Sequence, residues 1–470
     1  MTKKSCLLLF ILILSLNLKA QYISEIIEYK PAPGQFINTP YGNQAAAQSI
    51  TGTTTGIVSL GAFGGYIIFK FQNPVENNID NPYGIDFVIF GNPASELSAE
   101  PGIVSVMKDE NANGLPDDIW YELAGSDYFF SSAVHNYEIT YTNPGQSSAA
   151  DVPWTDNVGE SGYIFANDYH TQTYYPLPEN FPNINQVNYT LSGTKITANI
   201  DYSDAANIHS YQRVFGYADN RLRGDVNSQL PDNPYTNETE NMGGDSFDIS
   251  WAVDENGNYV YLNEIDFIKV TCGVNANLGW LGELSTEISG AVDILPDNSV
   301  TGAEEIIVIK DLPQTIYTGN QYPLEAFLFN KGQLQTAADI LFSCDLPGTS
   351  VDENNILTAT QTGNLTVTAT LVSNPNISTS INVTVSEPGY IENGSPNIFV
   401  PYPNPALNFF GIKNVNNVNI EISDSFGNIF KKIKGYSENE QIDISTLTSG
   451  IYFVKISDKN TVCIKKIIKN

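Results

Sequence analysis

The sequence predicts an all-β protein: a large, jelly-roll-like β-sandwich followed by two smaller sandwiches. Three observations carry this. Short runs alternate apolar and polar residues with period two. Tyr137-Glu-Ile-Thr-Tyr141 sets Tyr137, Ile139 and Tyr141 on one face, and Leu365-Thr-Val-Thr-Ala-Thr-Leu371 and Ile381-Asn-Val-Thr-Val385 repeat the pattern. These runs are bounded by turn-forming Gly, Asn and Pro, with 36 Gly and 25 Pro in the chain. No long stretch carries the 3.6-residue period of an amphipathic helix.

The elements follow in chain order. Lys3 and Lys4 precede an apolar run from Leu7 to Leu16 that only Ser15 interrupts, and Ala20-Gln21 offers a small residue for cleavage. Residues 1–20 therefore read as a signal peptide. The run is too short to span the ~30 Å hydrocarbon core as a helix. Cys6 lies before it, which does not fit lipoprotein processing. No later stretch approaches the roughly 18 apolar residues that a membrane span needs, so no transmembrane helix is expected.

Residues 21–297 form the large unit, with Gly65-Tyr-Ile-Ile-Phe-Lys-Phe71 and Ile265-Asp-Phe-Ile-Lys-Val270 as further strands. Residues 303–387 form a second module. Its length and closing Val-Thr-Val resemble bacterial immunoglobulin-like domains, which implies a spacer. Residues 388–396 read as a linker and 397–470 as a terminal module. The four Cys are scattered, and Cys272, Cys344 and Cys463 fall in three different modules. That is no disulfide framework and no metal spacing, so they read as buried small residues.

The terminal module carries Pro401-Tyr-Pro-Asn-Pro405, Asp424-Ser-Phe-Gly-Asn428, Asp443-Ile-Ser-Thr-Leu-Thr-Ser-Gly450 leading into Ile451-Tyr-Phe-Val-Lys-Ile456, and the basic end Cys463-Ile-Lys-Lys-Ile-Ile-Lys-Asn470. In this order and at the extreme C-terminus, these resemble the type A sorting domain of type IX secretion cargo. The resemblance implies a small β-sandwich read by the outer-membrane secretion machinery. It also implies removal of the tail, with the cargo released or attached to surface polysaccharide. The expected location is the outer-membrane surface or the extracellular space.

Charge sets this tail apart. Residues 401–470 hold nine Lys against six Asp and Glu, about +3, whereas residues 21–400 hold ten Lys and Arg against 46 Asp and Glu, about −36. Nucleic-acid binding needs clustered Lys and Arg on phosphates, so that function is excluded. Anionic membrane surfaces repel such a body. Arg213, Arg221 and Arg223 are rare cations in it and read as internal salt-bridge partners.

The sharpest chemical motif is Asp109-Glu-Asn-Ala-Asn-Gly-Leu-Pro-Asp-Asp118. Asp109, Asn111 and Asn113 supply oxygens at alternate positions, Gly114 allows a sharp turn, Leu115 offers a carbonyl, and Asp117 follows. Ca²⁺ takes six to eight oxygens, and this spacing wraps them around one point. The loop resembles EF-hand-like and dockerin-like calcium loops. It departs from them at position 12, which is Trp120 rather than Glu, so Asp118 or Glu122 is expected to close the set. An Asx-rich turn without metal is the competing reading. A weaker second site is Asp245 with Asp248 in Gly243-Gly-Asp-Ser-Phe-Asp248, joined by Glu283 or Glu287.

Tyr29-Lys-Pro-Ala-Pro-Gly-Gln-Phe-Ile-Asn38, Val58-Ser-Leu-Gly-Ala-Phe-Gly-Gly-Tyr66, Gly84-Ile-Asp-Phe-Val-Ile-Phe-Gly-Asn92 and the calcium-like loop resemble uncharacterised bacterial "cell surface protein" sequences. That family implies no particular reaction, though some relatives belong to nutrient-capture systems, including those for corrinoids. Three His at unrelated positions exclude an HExxH zinc site, and no G-x-S-x-G elbow occurs. A glycosidase needs only two acids about 5–9 Å apart; that reading stays open, and no pair is nominated. The leading expectation is a calcium-stabilised protein that binds a glycan or another extracellular nutrient. Trp120, Trp154, Tyr169 and Tyr174 are the candidate stacking aromatics. A structural or adhesive surface protein, a corrinoid-capture protein and an unrecognised polysaccharide-acting enzyme are the alternatives.

Overall fold

The computed structural model describes residues 21–387 and 400–469, apart from 203–206, 237, 404–405, 414, 416, 425–428, 439, 449 and 458–461. The signal peptide and the 388–396 linker lie outside the described residues, as does most of the Asp424–Asn428 turn.

Strands dominate the large unit. Its main sheet runs in the order Glu25–Lys30, Tyr66–Lys70, Phe267–Cys272, Gly102–Met107, Trp120–Leu123, Ala252–Val253, and Tyr217–Ala218 also pairs with Gly102–Met107. A second, three-stranded sheet places Phe87–Phe90 between Asp245–Phe247 and Gly290–Asp293. Phe87–Phe90 is buried along its whole length, so it shows no alternation. A third, four-stranded sheet joins Ser161–Ile164, Val152–Asp156, Val134–Thr142 and Asn188–Lys195, and short two-stranded ladders such as Val58–Ser59 with Glu287–Ile288 complete the body. In the third sheet, Tyr137, Ile139 and Tyr141 face the core at 0% exposure, as their spacing predicts. Tyr141 donates its hydroxyl to the Phe63 carbonyl at 2.9 Å, and Phe63 meets Tyr137 edge-on. A buried phenol needs such a partner to avoid a desolvation cost.

The second sandwich pairs Thr315–Tyr317, Ser378–Ser386, Gly363–Leu371 and Ile340–Cys344 in one sheet. Leu365, Val367, Ala369 and Leu371 supply its core. Two further ladders are Glu305–Ile309 with Ala326–Asn330 and Gln333–Leu334, and Gln321–Pro323 with Ile356–Ala359 and Thr349–Val351. The terminal module pairs Ile429–Tyr436, Val418–Ser423, Gly450–Ser457 and Val462–Lys469, next to Val400–Tyr402, Phe409–Lys413 and Ile442–Asp443. It has its own core, including Phe410, Ile420, Val454 and Ile467. Cys272 is buried and Cys344 partly buried, both as free thiols.

The second sandwich is fastened to the large unit, unlike the spacer that its resemblance implies. Val308 and Phe329 belong to the large unit's apolar core rather than to their own. Phe327 stacks on Phe130 at 5.1 Å, and Phe329 meets Phe215 edge-on at 5.2 Å. Trp251 Nε1 donates to the Lys331 carbonyl at 3.0 Å, and Lys310 bridges Glu325 and Ser131. Arg213 pairs with Asp127 at 2.9 Å and with Asp311 across the junction. That is the internal role expected of it. Arg221 and Arg223 correct the same expectation. Arg221 donates to the carbonyls of Val214 and Thr236, and Arg223 lies over the Phe90 ring and donates to the Thr54 carbonyl.

Candidate functional site

The 109–118 loop links Gly102–Met107 to Trp120–Leu123 at the sheet end. Ala112 at φ 55° and Gly114 at φ 75° turn it sharply, a conformation that glycine adopts without steric cost. The Asp109 carboxylate accepts from the backbone N–H of Asn113 at 3.1 Å and of Gly114 at 2.7 Å. Asn111 lies 3.1 Å from Asp118, and Asn113 lies 3.1 Å from Asp117. In both contacts the amide NH₂ donates to the carboxylate, while Asn111 Oδ1 and Asn113 Oδ1 accept from the N–H groups of Asn113 and Leu115, the bonding of an Asx-rich turn. Leu115 stands at the rim, 54% exposed. In residue type, three carboxylates with amide and carbonyl oxygens are what a hard cation takes.

Glu122 departs from the expected set. Its Oε2 accepts from the Thr194 hydroxyl at 2.6 Å, and burial pushes its carboxyl up to about 7, with Thr194 and Lys269 working against that rise. Strand alternation points position 122 toward Thr194 and Lys269 rather than into the 109–118 loop.

Asp245 and Asp248 do not share a site. Asp245 accepts from the backbone N–H groups of Asn220 and Arg221, both at 3.0 Å. Asp248 caps the 3-10 turn Ile249–Trp251 through the Ser250 N–H. Its carboxyl is raised to about 6 by burial. The acid that does gather with partners is Asp219. Among the described residues, Glu100, Asp219 and Glu287 bring carboxylate oxygens within 4.8 Å of one another. Asp219 accepts from the N–H of Asn92 at 2.8 Å and of Glu287 at 2.7 Å. Burial and mutual repulsion raise the carboxyls of Glu100 and Asp219 well above their usual range. Three such groups either share protons or take a divalent cation. They come from distant strands and follow no sequence spacing.

Glu283 is a further buried acid. Its Oε1 accepts from the Gln35 N–H at 2.6 Å, and its Oε2 has no partner among the described residues. Desolvation pushes this carboxyl, and that of Asp245, up to about 8. The folded state then binds protons that the unfolded chain has lost. The stability these groups contribute is complete below the ordinary carboxylate range and is lost as pH rises through about 8. Each extra bound proton lowers stability by about 1.4 kcal/mol per pH unit. In EDTA, the melting temperature of the full chain is expected to fall between pH 6 and pH 8.5, and Glu283→Gln is expected to flatten that fall. A melting temperature that rises with pH over this range would contradict the assignment.

The aromatics divide. Tyr169 is 73% exposed and Tyr174 is 0% exposed. The Tyr174 hydroxyl accepts from the Asn167 N–H, so it is a packing residue and offers no stacking face. Trp154 is half-buried beneath Gly162, and half-buried Trp120 holds the Lys269 ammonium at 5.0 Å from its ring. Tyr261, 83% exposed, is an aromatic that sequence reasoning did not single out. With Ile79 and Tyr83 it borders a cleft of about 590 Å³ between the large unit, residues 298–304 and the hairpin of the second sandwich.

Residues 401–470 match the family model described as the secretion system C-terminal sorting domain. The tail is a type IX secretion C-terminal sorting domain, and it addresses the chain to the cell surface or the extracellular space. No helix among the described residues is long and apolar enough to cross a membrane. No curated protein matches the chain. Among solved structures, a chimeric titin Z1Z2 is similar at 11% identity, with 36% of this chain and 97% of that chain covered and a TM-score of 0.15. The surface layer protein SbsC, domains 4–9, is similar at 12% identity, with 46% and 44% covered and a TM-score of 0.18. Extracellular domains 3–5 of Drosophila OTK are similar at 10% identity, with 45% and 82% covered and a TM-score of 0.17. Likeness at this level carries no argument about function.

Proposed function

We propose that this chain is an exported ligand-binding protein, stiffened by Ca²⁺ in the 109–118 loop. The observation that carries the reading is the cleft of about 590 Å³ on a body addressed to the outside of the cell. That volume suits a small extracellular ligand such as a glycan fragment or another nutrient. Asp109, Asp117 and Asp118, with amide oxygens of Asn111 and Asn113 and the Leu115 carbonyl, would hold the ion. Bound Ca²⁺ would screen carboxylates that otherwise repel and would fix the end of the main sheet.

A glycan array probed with the full chain tests the reading: retention of at least one glycan class supports it, and retention of none removes it. The metal has its own test. At a Ca²⁺ concentration about 100 times its Kd, binding to the native state alone adds about 2.7 kcal/mol. The full chain is expected to melt several degrees higher in Ca²⁺ than in EGTA, and Asp109→Ala is expected to abolish the difference. An equal shift in the variant would move the ion elsewhere.

A further inference from the structure

We infer that the cleft between the large unit and the second sandwich is a composite site for a neutral oligosaccharide, read in part by the second sandwich. The inference rests on the ligand-binding reading above and specifies both its place and its ligand class.

The side-chain amides of Asn77, Asn78 and Gln333 in the cleft are held at one end and open at the other. Asn77 Nδ2 donates to the Leu262 carbonyl at 2.9 Å, and Asn81 Nδ2 donates to Asp86 at 2.9 Å. Asn78 Oδ1 accepts from the Asp80 N–H at 3.0 Å, and Gln333 Nε2 donates to the Ser250 carbonyl at 2.8 Å. Each bond fixes an amide plane, and the other ends of Asn77, Asn78 and Gln333 carry no further bond among the described residues. Those ends are oxygens on Asn77 and Gln333, and an NH₂ on Asn78. Asn81 is only 5% exposed, and its Oδ1, buried without a partner among the described residues, is not itself open to the cleft. Acceptors and donors set in fixed positions match vicinal hydroxyls, and their fixation lowers the ordering cost of binding.

The apolar complement is present as well. Ile79 is 85% exposed and Tyr261 83% exposed, and both border the same cleft. An exposed tyrosine ring supplies a flat stacking face with little side-chain entropy to lose.

Charge decides against an anionic ligand. The lining holds Asp248, Glu304 and one cation, Lys331, which is already paired with Glu304 at 3.2 Å. The whole chain carries −30.

Gln333 and Lys331 come from the second sandwich. Lys331 at φ 47° and Gly332 at φ 71° make the two-residue turn between Ala326–Asn330 and Gln333–Leu334. Positive φ at both central residues is the mirror-image turn that suits a twisted hairpin. The turn is seated on Trp251, whose ring a Cβ at Gly332 would strike. The second sandwich therefore forms one wall of the cleft.

The test is titration calorimetry of the full chain with neutral gluco-, manno- and xylo-hexasaccharides, and with a uronate hexasaccharide as the anionic probe. Tyr261→Ala and Gln333→Ala are compared with wild type, with Tyr41→Ala, at a half-exposed tyrosine outside the cleft, as the control. Equal melting temperatures show that the variants fold. At least tenfold weaker binding of a neutral hexasaccharide in Tyr261→Ala and in Gln333→Ala, with Tyr41→Ala unchanged, is the expected result. Binding that all three variants retain would overturn the cleft while leaving a glycan-binding protein. Binding of the uronate alone would overturn the ligand class. No binding of any probe would overturn the inference together with the reading it rests on.

Discussion

A chain cut after residue 400 is expected to stay inside the cell envelope, while the full chain reaches the surface or the medium. The effect should be close to all-or-none, because the address is confined to one module. Residues 401–470 match the sorting-domain family, and Phe410, Ile420, Val454 and Ile467 belong to a core separate from those of the preceding units. The tail is also basic where the body before it is acidic, with nine Lys against six acids. Its loss should therefore leave residues 21–387 folded but unread. Cell fractionation in a host with a type IX system measures this, with protease accessibility of intact cells as a second readout. Equal surface display of the truncated chain would show that the tail is not required.

Phe329→Ala is expected to be the most destabilising single change outside the tail. Phe329 is 0% exposed and sits in the large unit's core although it belongs to the second sandwich. Truncating a buried Phe costs about 3–5 kcal/mol through lost transfer energy and the cavity left behind. The substitution takes away the ring that packs against Phe215 and Phe129, at 5.2 and 6.4 Å. The two units should then unfold separately. Calorimetry is expected to show one coupled transition for these units in wild type and two in the variant, with new protease cleavage within residues 297–304. A variant that melts as one unit at the wild-type temperature would mean that the junction contributes little.

The strands visible in the sequence are the ones half-buried in a sheet. Tyr137, Ile139 and Tyr141 alternate with polar neighbours because one face of Val134–Thr142 meets water, and Leu365–Leu371 does so for the same reason. Phe87–Phe90 is buried on both faces, so its periodicity disappears. Two-residue strands such as Val75–Glu76 and Tyr217–Ala218 are too short to show any. The 109–118 loop stood out as a candidate because its carboxylates and amides are contiguous. Glu122 was misassigned because spacing alone does not say which face of the following strand a residue takes. The Glu100, Asp219 and Glu287 cluster and the cleft around Tyr261 were not legible, since each is assembled from segments far apart in the chain. Tyr174 shows the converse. A Tyr-rich stretch reads as a stacking surface, yet its hydroxyl found a backbone partner and its ring went inside.

The central claim is that this exported body recognises an extracellular carbohydrate with calcium holding its framework. Calorimetric titration of the full chain with the retained glycan, once in Ca²⁺ and once in EGTA, tests it most directly. The account predicts saturable heat in Ca²⁺, with the same glycan bound more weakly in EGTA. No heat in either condition would contradict it.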